Sequence, residues 1–261
     1  MRRFPSPIFL LLLTAVWITP AVVAQKPGQT AAMAPPSPAF PLAANRTLKY
    51  TVDWRVFPAG TASFHLQQQG TREHVTAYAN SIGTMNLLFP VADRYDSDFD
   101  RATGCSYDYS KQIQEGPRRI QGNMRLDYAK HQQTVTERNM INGSTRHLTT
   151  AIPGCVTDVL SGIFYAATQP LVIGHDLLFP VADAGKVVTV TMKVEAKESI
   201  VTPAGTFATI RVQPTADAGV VKHRGSILIW YTDDARHLPV QVRARLFWGT
   251  ITMRLSSIEG Q

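Results

Sequence analysis

Leu48-Lys49-Tyr50-Thr51-Val52-Asp53-Trp54 is the stretch that decides the fold. Large apolar side chains take every second position, and Lys49, Thr51, Asp53 and the following Arg55 take those between. Successive side chains of a strand point to opposite faces, so this alternation describes a half-buried β-strand with one wet face. Pro58-Ala59-Gly60 comes next, and Ala62, Phe64 and Leu66 resume the alternation. Proline presets φ for a tight turn and glycine accepts a positive φ, so a hairpin reversing at Pro58-Ala59-Gly60 is expected.

The same tetrapeptide recurs as Pro203-Ala204-Gly205-Thr206, between strands expected over 187–201 and 206–212. A second string, Leu-Phe-Pro-Val-Ala-Asp, occurs at Leu88 to Asp93 and again at Leu178 to Asp183. The tetrapeptide precedes the hexapeptide in the first half and follows it in the second, which excludes a simple tandem duplication. Each Pro-Ala-Gly-Thr is therefore expected to mark a strand reversal, and each hexapeptide a strand entry with proline at an edge or first position.

Working outward, further strands are expected over 75–81, 95–99, 106–113, 121–128, 134–137, 146–150, 226–231, 239–246 and 250–255. One segment breaks the period of two. Over 157–168 the apolar residues Val159, Leu160, Ile163, Phe164 and Ala167 follow helical spacing, with Thr157 as N-cap and Gln169-Pro170 as the stop. The fold expected is all-β and mainly antiparallel: a strongly curved sheet or partial β-barrel with one short helix packed against it. An open sheet of so many strands would leave costly edges, so it must curl.

The ends carry their own signals. Arg2 and Arg3, the apolar run from Ile8 to Ile18 and Val22-Val23-Ala24 are the three parts of a secretory signal peptide over 1–24. No cysteine follows the apolar run closely, so lipidation of a new N-terminus is not expected, and no transmembrane span remains after cleavage. Residues 25–45 are rich in Pro and Ala and read as a disordered or extended tether. Residues 46–261 form a single β-rich domain.

The chain has 26 Lys+Arg against 19 Asp+Glu; losing Arg2 and Arg3 leaves 24 against 19, a net of +5. Arg118-Arg119, Lys222-His223-Arg224 and the pair Arg243 and Arg245 are the densest spots, and the rest are scattered. Nucleic acid is excluded as a partner, because its footprint is a concentrated basic stripe with interleaved aromatics. Weak attraction to anionic lipid or glycan, and hence peripheral membrane contact, stays open. The two cysteines, Cys105 and Cys155, are an even count far apart in an exported chain, so a disulfide is expected.

Catalytic patterns are missing where they would be looked for. The seven histidines show no zinc-type spacing, so no metal is expected. Asp96-x-Asp98-x-Asp100 begins like a calcium loop, but Arg101 and Tyr107 stand where glycine and glutamate are required. The three carboxylates then share the wet face of a strand. Neither Ser161-Gly162 nor Gly143-Ser144 is a nucleophile elbow, glycine-rich phosphate loops are absent, and no cofactor is expected. Asp158, Ser161 and Tyr165 share one flank of the helix and could line a pocket mouth. The plainer account makes Asp158 a helix-start acid and Tyr165 a packed ring with its hydroxyl tied to backbone.

A series of short motifs resembles one family of exported bacterial proteins. These are Tyr50-x-Val52-x-Trp54 into Pro58-Ala59-Gly60; Asp93-Arg94-Tyr95-x-Ser97; Asp158-x-x-Ser161-x-x-x-Tyr165; Thr202-Pro203-Ala204-Gly205-Thr206-Phe207; and Trp230-x-x-Asp233-Asp234 with Leu238-Pro239-Val240. The series is similar to the domain of unknown function DUF3108. That resemblance implies a predominantly antiparallel β protein of the periplasm of a Gram-negative-type bacterium, with no established activity. The chain departs where members carry an arginine soon after the helix tyrosine: Ala166-Ala167-Thr168 stand there, so no role of that arginine transfers. The candidate ligand-binding residues at a pocket mouth are Asp158, Ser161, Tyr165, Trp54 and Trp230. The functional expectation is a non-catalytic exported protein that binds a lipid-like or amphipathic small molecule, or a cell-envelope protein. The alternatives are a cell-wall or glycan hydrolase using a carboxylate pair, and a structural envelope scaffold.

Overall fold

The structure is a computed structural model that describes residues 31–42, 44–216, 226–246 and 249–260. The leader over 1–24, the start of the tether and Lys222-His223-Arg224 lie outside the described residues.

The first half of the chain is a meander of eight strands: β1 (Arg46–Trp54), β2 (Phe57–Gln69), β3 (Arg72–Ser81), β4 (Ala92–Asp100), β5 (Ser106–Glu115), β6 (Arg118–Asp127), β7 (Gln132–Asn139) and β8 (Thr145–Ala151). A short helix, α1 (Gly83–Leu88), joins β3 to β4. Two residues of strand, β9 (Thr157–Asp158), and the helix α2 (Ser161–Ala167) then carry the chain across to the far edge. From there β10 (Leu177–Asp183), β11 (Lys186–Thr202), β12 (Gly205–Ala216), β13 (Ser226–Thr232), β14 (Pro239–Leu246) and β15 (Gly249–Glu259) return strand by strand to the start. β15 pairs with β1, so all strands join one sheet ordered from β8 through β1 and β15 to β9.

This sheet is not closed by strand pairing. Side chains close it instead. Met124, Leu126 and Val135 of one limb, with Ile152 just after β8, pack with Val156 and Ala182 leading into and along the other, and Thr150 donates its hydroxyl to the Gly185 carbonyl across the same seam at 2.9 Å. Leu148 leans on Gly185, where a β-carbon would stand 2.8 Å from its methyl. The inner faces supply two larger clusters, one around Tyr50, Phe64 and Phe164 and one around Phe179, Val212 and Tyr231, with α2 contributing to both. The all-β curved sheet with a packed helix is thus as the alternation demanded.

The two repeated strings behave differently from their expected roles. The first reversal falls at Arg55-Val56, with Arg55 at φ 57°, while Pro58-Ala59-Gly60 lies inside β2. The register slips there: Val52 faces Gly60 but Asp53 faces Pro58, a bulge that admits the proline. Gly60 is needed for close approach, because a β-carbon would stand 2.3 Å from the Asn80 carbonyl oxygen. The second copy does form the turn, Pro203-Ala204 linking paired Thr202 and Gly205. Of the hexapeptides, the first is split between the end of α1, a loop through Pro90 and the start of β4, and the second lies within β10. Pro180 sits one residue outside the short parallel pairing of Val181 and Ala182 with β9, where an edge tolerates a missing N–H.

The helix begins later than its apolar spacing suggested. Thr157 and Asp158 pair with β10, and the Asp158 carboxylate takes the N–H groups of Leu160 and Ser161 at 2.7 and 2.9 Å, so the helix runs Ser161–Ala167 instead of 157–168. Asp158, not Thr157, does the capping chemistry. The expected disulfide is present: Cys105, after β4, is bonded to Cys155, before β9, with a sequence separation of 50.

Candidate functional site

Residues 31–42 run without helix or strand, with a turn in which Phe40 N–H reaches the Ser37 carbonyl at 3.1 Å, and they are seated on the domain instead of free. Met33 packs in the cluster around Phe179, Ser37 N–H donates to the Thr168 carbonyl at 2.9 Å, and Phe40 stacks on His237 with centroids 4.2 Å apart. The Tyr165 hydroxyl donates to the Ala34 carbonyl at 2.8 Å, and the Gln169 amide to that of Pro35 at 3.3 Å. This part of the tether forms a strap across one end of the sheet, over α2 and the β4–β5 turn. Polar side chains of the domain satisfy its backbone carbonyls.

Beneath the strap lies a cleft of about 230 Å³. Phe40 and Leu42 from the strap, Phe99 from β4 and Tyr165 from α2 give it apolar walls, with Asp100, Arg101 and Thr168 as polar groups. Arg101 is held from behind: it pairs with the buried Glu73 and donates to the Leu42 carbonyl at 2.8 Å. Burial pushes the Glu73 carboxyl up, and Arg101 pulls the other way. One Glu73 oxygen, Oε1, is buried without a hydrogen-bond partner among the described residues. Asp100 is committed to the turn, accepting the N–H groups of Ala102 and Thr103 at 3.0 and 2.8 Å. Burial also pushes the Tyr165 phenol up to about 12, so it remains a donor.

The five sequence candidates separate into four places. Asp158 and Ser161 lie fully inside, one layer below the cleft. The Asp158 carboxylate accepts Ser97 Oγ at 2.5 Å and Ser106 Oγ at 2.8 Å besides the two helix N–H groups, and Ser106 and Ser161 hydroxyls meet at 2.7 Å. Burial raises the Asp158 carboxyl and those hydrogen bonds oppose it. Asp158, Ser97, Ser106 and Ser161 are all buried, and these hydroxyls tie β4, β5 and α2 together. Tyr165, on the same helix, reaches the cleft. Trp230 is buried elsewhere, its indole N–H donating to Glu198 at 2.8 Å with Arg243 over its ring, and Trp54 lies at the other end of β1 beside Arg55 and Gly249.

Sequence reasoning missed the strap, Phe99 and Arg101. Phe40 and Leu42 were the available signal, two apolar residues in a run otherwise too poor in them to fold. Outside the cleft, Asp96 and Asp98 share their strand face with His74, whose Nδ1 meets Asp98 at 2.9 Å, and Arg94 clasps Asp96 through two bonds of 2.9 Å. These carboxylates are hydrogen-bonded to those neighbours and do not line the cleft.

The class defined by this architecture is a barrel-like antiparallel sheet, open at one seam, with a strap-covered cleft at one end. The chain belongs to the family of proteins of unknown function DUF3108, whose model matches residues 49–256. Among solved structures it is similar to a β-barrel-like protein of the domain of unknown function DUF1849 from Brucella abortus, with TM-score 0.50, 8% identity and coverage of 88% of this chain and 99% of that one. That likeness concerns fold alone. Weaker likenesses are to a protein from Bacteroides fragilis described as exported with a YmcC-like fold (TM-score 0.38, 9% identity, 85% and 98% covered) and to one from Parabacteroides distasonis described as a lipoprotein (TM-score 0.31, 11% identity, 85% and 98% covered). No curated protein matches. No helix among the described residues is long and apolar enough to cross a membrane.

Proposed function

We propose that this is an exported, non-catalytic binding protein of the bacterial periplasm, and that the cleft beneath the strap holds a small amphipathic ligand. The observation that carries the reading is the lining itself: aromatic and aliphatic walls, Tyr165 among them, with one tethered arginine. Mostly apolar concavity with few convergent polar groups is the usual form of a small-molecule site. At about 230 Å³ the cleft is below the roughly 300–1,000 Å³ of ordinary small-molecule sites, so a short acyl chain or single ring with an anionic head fits better than a whole lipid. Arg101 is the cation of the lining and so supplies the complement to the anionic head.

Native mass spectrometry of protein recovered from its own periplasm tests this. A retained small molecule, lost when Phe99→Ala and Arg101→Gln are combined, supports it. Protein that carries no adduct and takes up none from added octanoate or benzoate refutes it.

A further inference from the structure

At the end of the sheet opposite the strap, the connections β1–β2, β3–β4, β5–β6 and β7–β8 lie side by side. Backbone contacts link them in series. Ile82 N–H reaches the Ala59 carbonyl at 3.1 Å, Gly116 N–H that of Pro90 at 2.8 Å, and Met140 N–H that of Arg119 at 2.9 Å. Eight of the thirteen large apolar side chains exposed among the described residues fall on this one rim. Its tips are Val56 and Phe57 in the first connection, Leu87 and Leu88 at the end of α1, and Met140 and Ile141 in the last; Leu87 is 84% and Val56 82% exposed. α1 buries none of its residues, so its leucines are not there to pack the core.

Cations surround these tips. Arg55 sits in the first turn beside Trp54, Arg119 lies at the start of β6, Arg138 stands near the end of β7, and Arg245 stands opposite Thr250 next to that first turn. The carboxylates near them are already matched, Glu115 to Arg118, Glu137 to Lys111 and Asp53 to Arg254, and Asp93 is buried. Scattered single apolar residues on a surface mean little, but a contiguous group on hairpin tips, edged by arginine, matches a bilayer interface. Apolar tips enter the acyl boundary, and guanidinium groups at the level of the headgroups meet anionic lipid.

We propose that this rim docks the protein on an anionic phospholipid bilayer, with the strap-covered cleft facing away from the membrane. The proposal is independent of what the cleft binds, since the two features occupy opposite ends of the sheet.

The test uses protein recovered after secretion of the whole chain and sedimented with vesicles of equimolar phosphatidylglycerol and phosphatidylethanolamine, or of phosphatidylcholine alone. Wild type is expected to sediment with the anionic vesicles and to be released by salt. Leu87→Asp combined with Leu88→Asp, both exposed and free of folding roles, is expected to weaken binding at least about tenfold. Arg55→Glu combined with Arg138→Glu, both exposed, should remove the preference for phosphatidylglycerol. Val201→Asp, an equally exposed apolar residue at the strap end, should change nothing. Wild type left in the supernatant, or a leucine pair variant that binds like wild type, overturns the proposal. So does a dimer, seen by light scattering without lipid and lost in the leucine pair variant, since the rim would then cover a second copy.

Discussion

Replacing Asp158 by alanine should cost about 2–5 kcal/mol of stability, and the structure says which atoms carry the loss. The carboxylate accepts four hydrogen bonds, two from the hydroxyls of Ser97 and Ser106 and two from the backbone N–H groups of Leu160 and Ser161. The hydroxyls can rotate towards one another, as Ser106 and Ser161 already do at 2.7 Å. The N–H groups cannot turn, and each buried unsatisfied donor costs about 1–3 kcal/mol, which sets the range at roughly 2–6 kcal/mol. Removing a carboxylate whose ionised form is disfavoured by burial returns a part of this, so the upper end comes down slightly. Asp158→Asn keeps one oxygen for the two N–H groups and turns the other into a donor facing two rotatable hydroxyls. It should therefore cost less than half as much. Equilibrium urea unfolding with the disulfide intact reads both; at about 2–3 kcal/mol per M for a domain of this size, the alanine variant loses about 1–2 M in midpoint. An alanine variant within about 1 kcal/mol of wild type would refute the reasoning, as would an asparagine variant as damaged as the alanine one.

Three further outcomes are expected. Gly60→Ala should destabilise by about 1–3 kcal/mol, because its β-carbon meets a backbone oxygen, whereas Gly205→Ala meets nothing within 4 Å and should cost less despite φ 132°; thermal melts ranking them in the other order would contradict the strand geometry. Removing both cysteines as Cys105→Ser with Cys155→Ser opens a loop with a sequence separation of 50 and should cost about 4 kcal/mol by the chain-entropy relation, read by denaturant unfolding. His237 is lowered from its ordinary 6.5 by burial, so the unfolded chain takes the proton first and stability is lost as pH falls below about 6.5. Asp158 and Glu73 act oppositely: each is raised, so its contribution is present at low pH and lost as pH rises. His237→Asn keeps a donor for the Ala167 carbonyl and tolerates φ 40°, so wild type should lose stability relative to this variant between pH 7 and 5.5. Parallel pH profiles would show that His237 is not the sensor.

Much of the fold was legible because a half-buried sheet writes itself as alternation. Tyr50, Phe64 and Leu255 are inside because their neighbours in sequence are not. The places where expectation and structure part are those decided by distant partners. Pro58-Ala59-Gly60 has the local chemistry of a turn, but pairing with β1 and the approach of Asn80 draw it into a strand. Thr157 has the local chemistry of a helix cap, but β10 takes it as a bridge and leaves the capping to Asp158. The strap was hidden for a related reason. A proline-rich segment cannot form a core of its own, and its composition does not reveal that Tyr165, Gln169 and Arg101 offer it donors. Of the candidate residues, the helix spacing identified a true cluster, yet spacing cannot tell the flank that seals from the flank that lines a cleft.

The pairing of β1 with β15 carries a consequence in time as well as space. Lys49 meets Glu259 across a separation of 210 residues, so the central seam of the sheet joins stretches that lie far apart in the chain. Until that seam forms, each half is an open meander with an unpaired central edge, and such long-range closure is intrinsically slow. β15 pairs with β1 on one side and β14 on the other, so docking of the β14–β15 hairpin is the step that turns two separate meanders into one sheet.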